Sequence, residues 1–280
     1  MTAEPPGRFV YGLTVHGLDD VAELDPDVVG DDRITVQVDR YDGPHVALHR
    51  LDADRVVEAM GAAHQWVLER ETGTACLIGP PLDQDLLAHP CLASVAIAFN
   101  RWAGRESFHA AAFAADGLAY GVIGPRTAGK STLMAALAHA GLTVLADDIV
   151  ITDGVDAFAG PRCIDLRTEI PDIELATASA RLGTRYRLRL PSAPARMPLG
   201  GWIFLQWGTT VSMRPCPPSV VLSRLAAWRG RRGLPTDPST MLDLAARPAW
   251  DLERPASWRE FGRVTDTVIA TLAHSLVMSA

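Results

Sequence analysis

The stretch Gly124-Pro125-Arg126-Thr127-Ala128-Gly129-Lys130-Ser131 constrains this chain more than any other feature. Its spacing fits the phosphate-loop pattern, in which glycines let the backbone curl until its N–H groups point inward at phosphate oxygens. In such a loop Lys130 bridges the terminal phosphates and the Ser131 hydroxyl ligates Mg²⁺. The flanking sequence agrees. Leu118 to Ile123 reads as a strand ending at Gly124, and the run from Thr132 to Ala140 is helix-forming and stops at Gly141. Leu142 to Ala146 then reads as a second apolar strand, closed by Asp147 and Asp148. Strand, glycine-rich loop, helix, strand and acidic pair is the order a P-loop α/β fold requires.

Lys130 is also the only lysine of the chain, the other 25 of its 26 basic residues being arginine. A forked guanidinium cannot enter a tight ring of backbone amides as a compact ammonium can, so a phosphate-cradling loop is a physical reason for the exception. Residues 124 to 132, Thr132 included, are therefore read as the nucleotide-binding segment, with ATP and Mg²⁺ as the expected ligands.

Asp147 and Asp148 follow a strand 17 positions and more after Lys130. Two adjacent carboxylates at a strand end repel each other and lose hydration, which a cation or a proton-transfer role compensates. In P-loop proteins an acid at this place holds the Mg²⁺ shell, here Asp147 together with Ser131. A second acid suits a kinase, which needs a carboxylate to accept the proton of an attacking hydroxyl. The alternative is that Asp148 only closes the turn.

The formal charge of −7, with no dense run of Lys or Arg, disfavours nucleic acid and anionic membranes as partners. No uncharged apolar run reaches about 18 residues, and the N-terminal residues lack the basic-then-apolar order of a signal peptide. The expectation is a soluble cytoplasmic protein with a small-molecule or protein partner. Cys76, Cys91, Cys163 and Cys216 are scattered and read as core thiols of a reducing compartment. At 280 residues and 48% hydrophobic content the chain can build one large domain or two modest ones. The division expected is an N-terminal α+β module over 1–104, structural or substrate-specifying, and a P-loop domain over 105–280.

Within the first module, residues 31 to 50 read as a β-hairpin around Tyr41-Asp-Gly-Pro44, 55 to 70 as helical, and 91 to 103 as a helix. Further on, Asp116-Gly117 is a hairpin turn signal, and 185 to 190 and 202 to 207 read as strands. Pro217-Pro218 precedes an amphipathic helix bearing Val221, Leu222, Leu225 and Trp228. A last helix opens on a capping box Ser257-x-x-Glu260 and carries Phe261, Val264, Val268, Leu272 and Leu276 toward the core. Arg185, Arg187 and Arg189 share one strand face, which suits an anionic substrate or a wet sheet surface. Arg229, Arg231 and Arg232 read as an exposed loop.

Phe108-His-Ala-Ala-Ala, the Asp116-Gly117 turn, Gly-Pro-Arg-Thr-Ala-Gly-Lys-Ser-Thr at 124 to 132 and Leu-Ala-Asp-Asp-Ile at 145 to 149 together resemble the C-terminal domain of HPr kinase/phosphorylase and its smaller kinase relatives. That group is akin in fold to ATP-dependent phosphoenolpyruvate carboxykinase. The resemblance is close over about residues 105 to 170 and implies a P-loop kinase with Asp148 as catalytic base, Asp147 with the metal, and His109 beside them. His109 then orients the base or a phosphate; the alternative is a hydrogen-bonded core histidine. Arg162 and Arg167 are placed to neutralise charge on the transferred phosphoryl group, the alternative being solvated loop arginines. Two departures bear on activity. The glycine-rich signature of the bifunctional members is replaced by Gly160-Pro-Arg-Cys-Ile-Asp-Leu-Arg167, and Pro125 and Arg126 stand where those members have an acid and a small residue. The resemblance thus implies transfer of the γ-phosphoryl group to a serine-type hydroxyl on a peptide or small metabolite, and allows a homo-oligomer. A nucleotide-binding regulatory module without transfer activity is the alternative.

Overall fold

The computed structural model describes residues 7–26, 34–48, 54–179, 183–230 and 237–279. Seven strands form the N-terminal sheet: β1 (Arg8–Val10), β2 (Leu13–His16), β3 (Asp25–Pro26), β4 (Ile34–Tyr41), β5 (Arg55–Ala59), β6 (Gln65–Glu69) and β7 (Thr74–Ile78), in the order β3-β1-β2-β4-β7-β6-β5. A short turn α1 (Gln84–Leu86) and a π-type turn, Leu87–Cys91, lead into α2 (Leu92–Trp102). This helix buries Leu92, Val95 and Phe99, as its apolar spacing requires.

Two expectations for this region fail. Residues 55 to 70 are the antiparallel pair β5–β6 rather than a helix, with Val57 opposite Val67. The adjacent Val56-Val57 and Trp66-Val67 favour strand packing, and Gly61 at φ +85° breaks the chain between them. The hairpin over 31 to 50 is also absent among the described residues. The alternation of Ile34, Val36 and Val38 does make a strand, but β4 lies between β2 and β7 and is parallel to both. Beyond the turn, Val46 is held by the Gln65 side-chain amide, which accepts from its N–H at 2.9 Å and donates to its carbonyl at 2.8 Å.

The central sheet carries the candidate site. Its strands are β8 (Glu106–Phe108), β9 (Ala110–Ala115), β10 (Leu118–Ile123), β11 (Val144–Ala146), β12 (Val150–Thr152) and β13 (Asp156–Phe158). A small sheet of β14 (Cys163–Leu166), β15 (Ala176–Ser179) and β16 (Thr184–Arg189) intervenes before β17 (Arg196–Trp207), β18 (Ser212–Pro215) and β19 (Ala249–Arg254) complete the central one. Asp116 and Gly117, both at positive φ, make the tight turn between β9 and β10. β10 runs antiparallel to β9 and parallel to β17, β17 runs parallel to β19, and β11 runs antiparallel to β9. The C-terminal ends of β10, β11, β17 and β19 and the start of β9 therefore meet at one edge.

Helix α3 (Lys130–His139) follows β10 and ends as expected, with Gly141 in the left-handed region at φ +89°. α4 (Pro218–Trp228) and α5 (Pro238–Ala246) follow β18, and α6 (Phe261–Ser279) closes the chain. Val264, Val268 and Leu272 of α6 are buried with Leu133 and Leu137 of α3 in one apolar cluster; the Leu276 side chain lies outside the described residues. The capping box is not formed. Ser257 makes no side-chain cap bond, and Trp258–Glu260 is a 3₁₀ turn closed by the Glu260 N–H to the Ser257 carbonyl. A second cluster joins the two halves, running from Val10, Leu13 and Val36 through Leu92 and Phe99 to Phe108, Val150, Trp202 and Leu244. The fold is thus a mixed α/β architecture of several sheets.

Candidate active site at the strand ends

The loop after β10 has the conformation that its glycines allow. Gly129 sits at φ +80° as the residue capping α3, and a Cβ there would lie 2.3 Å from the Arg254 guanidinium. Thr127 is also left-handed, at φ +71°, a conformation that costs free energy for a β-branched residue and recurs where a loop is shaped for a ligand. Pro125, Arg126 and Thr127 are exposed while Ala128 is buried. α3 has no side-chain N-cap and no acid in its first turn, so its free N–H groups and positive dipole end face the loop.

Lys130 is buried, and its Nζ donates to the Gly124 carbonyl at 2.8 Å. Burial lowers its pKa, a shift that Asp147 and Asp148 oppose. Ser131 donates from Oγ to Asp147 Oδ1 at 3.1 Å, so the end of β11 and the start of α3 meet through a hydroxyl and a carboxylate oxygen. Asp147 is 3% exposed, and burial pushes its pKa up to about 6, with Asp148 adding to the rise and His89 opposing it. A buried carboxylate next to a hydroxyl fits a hard cation that keeps several of its waters. Among the described residues no group of three or more His, Cys, Asp or Glu side chains is placed to hold a metal ion.

Asp148 differs from its neighbour. It is part-exposed and held at φ +74°, which turns it away from the strand direction. His109, at the break between β8 and β9, lies beside it: Nδ1 is 2.9 Å from the Asp148 carbonyl and 3.3 Å from its Oδ1. Donation from Nδ1–H to the carbonyl leaves Nε2 as the acceptor in the neutral ring.

Four residues near this edge are not read as site residues from the sequence, Trp228 figuring there only as part of an amphipathic helix. The Trp228 carbonyl accepts from the His109 N–H at 2.8 Å, and its ring lies 6.2 Å from the His109 ring and 6.0 Å from Lys130 Nζ. Tyr11, in the turn between β1 and β2, brings its hydroxyl to 3.4 Å from the Asp147 carbonyl. Arg254, at the end of β19 and 2% exposed, donates from Nη2 to the carbonyls of Ala128 and Gly129 at 2.9 and 3.0 Å. Burial lowers its pKa to about 10, and its Nε has no hydrogen-bond partner among the described residues. His89 pairs through Nδ1 with Asp165 at 3.1 Å, while its buried Nε2 is likewise without a partner. All four lie far from the loop in sequence.

Other candidates are placed elsewhere. Arg162 forms an ion pair with Asp25 at 2.9 Å and donates to the Ala22 carbonyl, so its guanidinium is held by the N-terminal segment rather than turned to the loop. Arg167 is exposed just beyond β14 and makes no hydrogen bond or ion pair with the glycine-rich loop among the described residues. Arg187 is 1% exposed and grips Asp165 through two hydrogen bonds at 2.7 and 2.8 Å, with Asp85 at 3.0 Å and Glu23 at 3.4 Å. It is therefore an internal tie, and the shared face with Arg185 and Arg189 is not a uniformly wet or substrate-facing one. Arg229 is paired with the buried Glu106 at 2.8 Å rather than exposed, and Arg231 and Arg232 lie outside the described residues.

No family model and no curated protein matches the chain. Among solved structures, that of the Hpr(Ser) kinase/phosphatase from Coxiella burnetii aligns over 62% of this chain and 99% of its own, with 12% identity and a TM-score of 0.33. Similarity at that level bears on neither residue roles nor activity. Among the described residues no helix is long and apolar enough to cross a membrane.

Proposed function

We propose that the chain is an ATP-dependent kinase that transfers the γ-phosphoryl group to a serine-type hydroxyl on a peptide or small metabolite. The observation that carries this reading is the Ser131–Asp147 contact at 3.1 Å, which joins the loop to the acidic pair and leaves Asp148 as the more accessible carboxylate beside His109. The loop amides, the start of α3 and Lys130 bind the triphosphate. Ser131 and Asp147 are the residues that would hold Mg²⁺, which neutralises phosphate charge when bound. Asp148 accepts the proton of the acceptor hydroxyl as its oxygen forms the new P–O bond and the bond to the departing ADP breaks. His109 orients the Asp148 carboxylate through its backbone.

The test is incubation with γ-labelled ATP and a panel of hydroxyl compounds and seryl peptides. Label is expected to reach an acceptor with the wild-type chain and not with Lys130→Ala. ATP binding without transfer to any acceptor favours the regulatory-module alternative, and absence of ATP binding overturns both readings.

A further inference from the structure

On the reading of the loop as a triphosphate site, the two flanks of β10 are unequal. On one side lie β9 and β11, which bring His109, Asp147 and Asp148 to the edge. On the other lie β17, parallel to β10, and β19, parallel to β17, ending at Trp207 and Arg254. A triphosphate lying across the loop with its terminal phosphate at the acidic pair directs its other end over these two strand ends, the place where ligands of open parallel sheets extend.

What stands there is aromatic and open. Trp207 is 48% exposed, an unusual state for a large side chain ending a buried strand. One face of its ring is covered by the Arg254 guanidinium at 4.5 Å, and its edge comes within 3.3 Å of a Cβ built on Gly129. Trp258, 39% exposed, continues the patch by packing on Phe261 at 4.7 Å, whose own ring lies 6.0 Å from Arg254. The patch is thus continuous with the phosphate loop through Gly129 and Arg254.

We infer that the ends of β17 and β19 form the nucleoside subsite, with the open ring of Trp207 stacking the base of the bound nucleoside triphosphate. The inference rests on the phosphate-loop reading and adds to it the part of the ligand that the loop does not touch. A flat heteroaromatic base can stack on the open indole face while Arg254 backs the covered one.

Calorimetric binding of ATP and of inorganic tripolyphosphate, each with Mg²⁺, separates the two parts. Trp207→Ala should weaken ATP binding by roughly tenfold, the worth of one base–aromatic stack, and leave tripolyphosphate binding within about twofold. Trp207→Phe, which keeps a ring, should bind ATP within about threefold of wild type. Unchanged ATP binding in Trp207→Ala overturns the subsite and leaves the patch for another partner. An equal loss of both ligands overturns it as well, because Trp207 would then act only by holding Arg254 against the loop. A wild-type chain that binds tripolyphosphate as tightly as ATP refutes the subsite but not the phosphate loop, whereas one that binds neither removes both.

Discussion

Asp147 and Asp148 are adjacent in sequence and differ in almost every physical respect. Asp147 is sealed beneath the loop with its carboxyl bonded to Ser131, while Asp148 is turned outward by a left-handed backbone. The raised pKa of Asp147 has a consequence for stability. Its carboxyl binds a proton more tightly folded than unfolded, so stability falls as pH rises from the unfolded value near 3.8 through the folded value of about 6. The cost above that window is on the order of 3 kcal/mol. Asp147→Asn, which keeps the size and can keep the Ser131 contact, should therefore unfold several degrees above wild type at pH 8 and show little advantage near pH 4, as read by thermal melts without divalent cations. Its ATP turnover should demand far more Mg²⁺, because an amide is a poorer ligand for the ion and its waters. Asp148→Asn should fail differently, with Mg-ATP binding retained and single-turnover transfer reduced by about 10² to 10⁴. Transfer at the wild-type rate in that variant would remove Asp148 from the role of base.

The glycine-rich loop at 124–131 depends on more than its own residues. A side chain at Gly124 would crowd the loop, since a Cβ would lie 3.1 Å from the Cβ atoms of Ala128 and Leu205 and these would have to give by a few tenths of an ångström, and Arg254 closes the loop from behind. A peptide carbonyl and the N–H that follows it point in opposite directions, so binding the carbonyls of Ala128 and Gly129 to Arg254 aims the amides of Gly129 and Lys130 the other way. Arg254 is buried and has no carboxylate partner among the described residues, an arrangement that costs stability in return for geometry. Arg254→Met is expected to melt at or above the wild-type temperature yet bind ATP and tripolyphosphate about tenfold more weakly, one buried charged donor being worth roughly 1.5–3 kcal/mol. A lower melting temperature with unchanged binding would make the residue structural only. The strand–loop–helix–strand core was legible in the sequence because each piece is local: apolar runs of strand length, left-handed glycines at 117 and 129, and Gly141 past the helix end, whereas the left-handed Thr127 and Asp148 gave no such sign. Arg254 was not legible, because what makes it matter is the parallel pairing that brings β19 to the edge. The helix expected over 55 to 70 failed for the converse reason, since the Val57–Val67 pairing across a turn outweighs any local helical reading.

At the scale of the molecule, the N-terminal segment is joined to the rest by charge as well as by apolar packing. Its turn at Tyr11 touches the Asp147 carbonyl, Glu23 and Asp85 meet Arg187, and His89 meets Asp165, so three sequence-distant stretches converge on one buried guanidinium. None of this was visible in the alternation of Arg185, Arg187 and Arg189, which fixes a shared strand face but not which of the three is covered. Burial alone would raise the Asp165 pKa, but hydrogen bonds from Arg187 and His89 hold it below the ordinary value. A depressed carboxylate contributes stability above its unfolded pKa and loses it as pH falls through the folded one. For His89, burial is outweighed by Asp165 and the pKa is raised, so its contribution is full below about 6.5 and is lost as pH rises through the folded value. Arg187→Ala leaves Asp165, Asp85 and Glu23 facing one another without their cation, and removing one partner of a buried pair costs about 3–5 kcal/mol. The variant should melt on the order of 10 °C below wild type at pH 7, whereas Arg185→Gln and Arg189→Gln should each stay within about 0.5 kcal/mol of it. Because the lost stability resides partly in the ionised Asp165, the gap between Arg187→Ala and wild type should narrow as the pH falls below about 4, the unfolded value, toward the lower pKa that Asp165 has in the fold. A gap independent of pH would assign the loss to packing of the long side chain rather than to its charge. Equal melting temperatures for Arg187→Ala and Arg185→Gln at pH 7 would show that the network does not bind the N-terminal segment to the sheet at all.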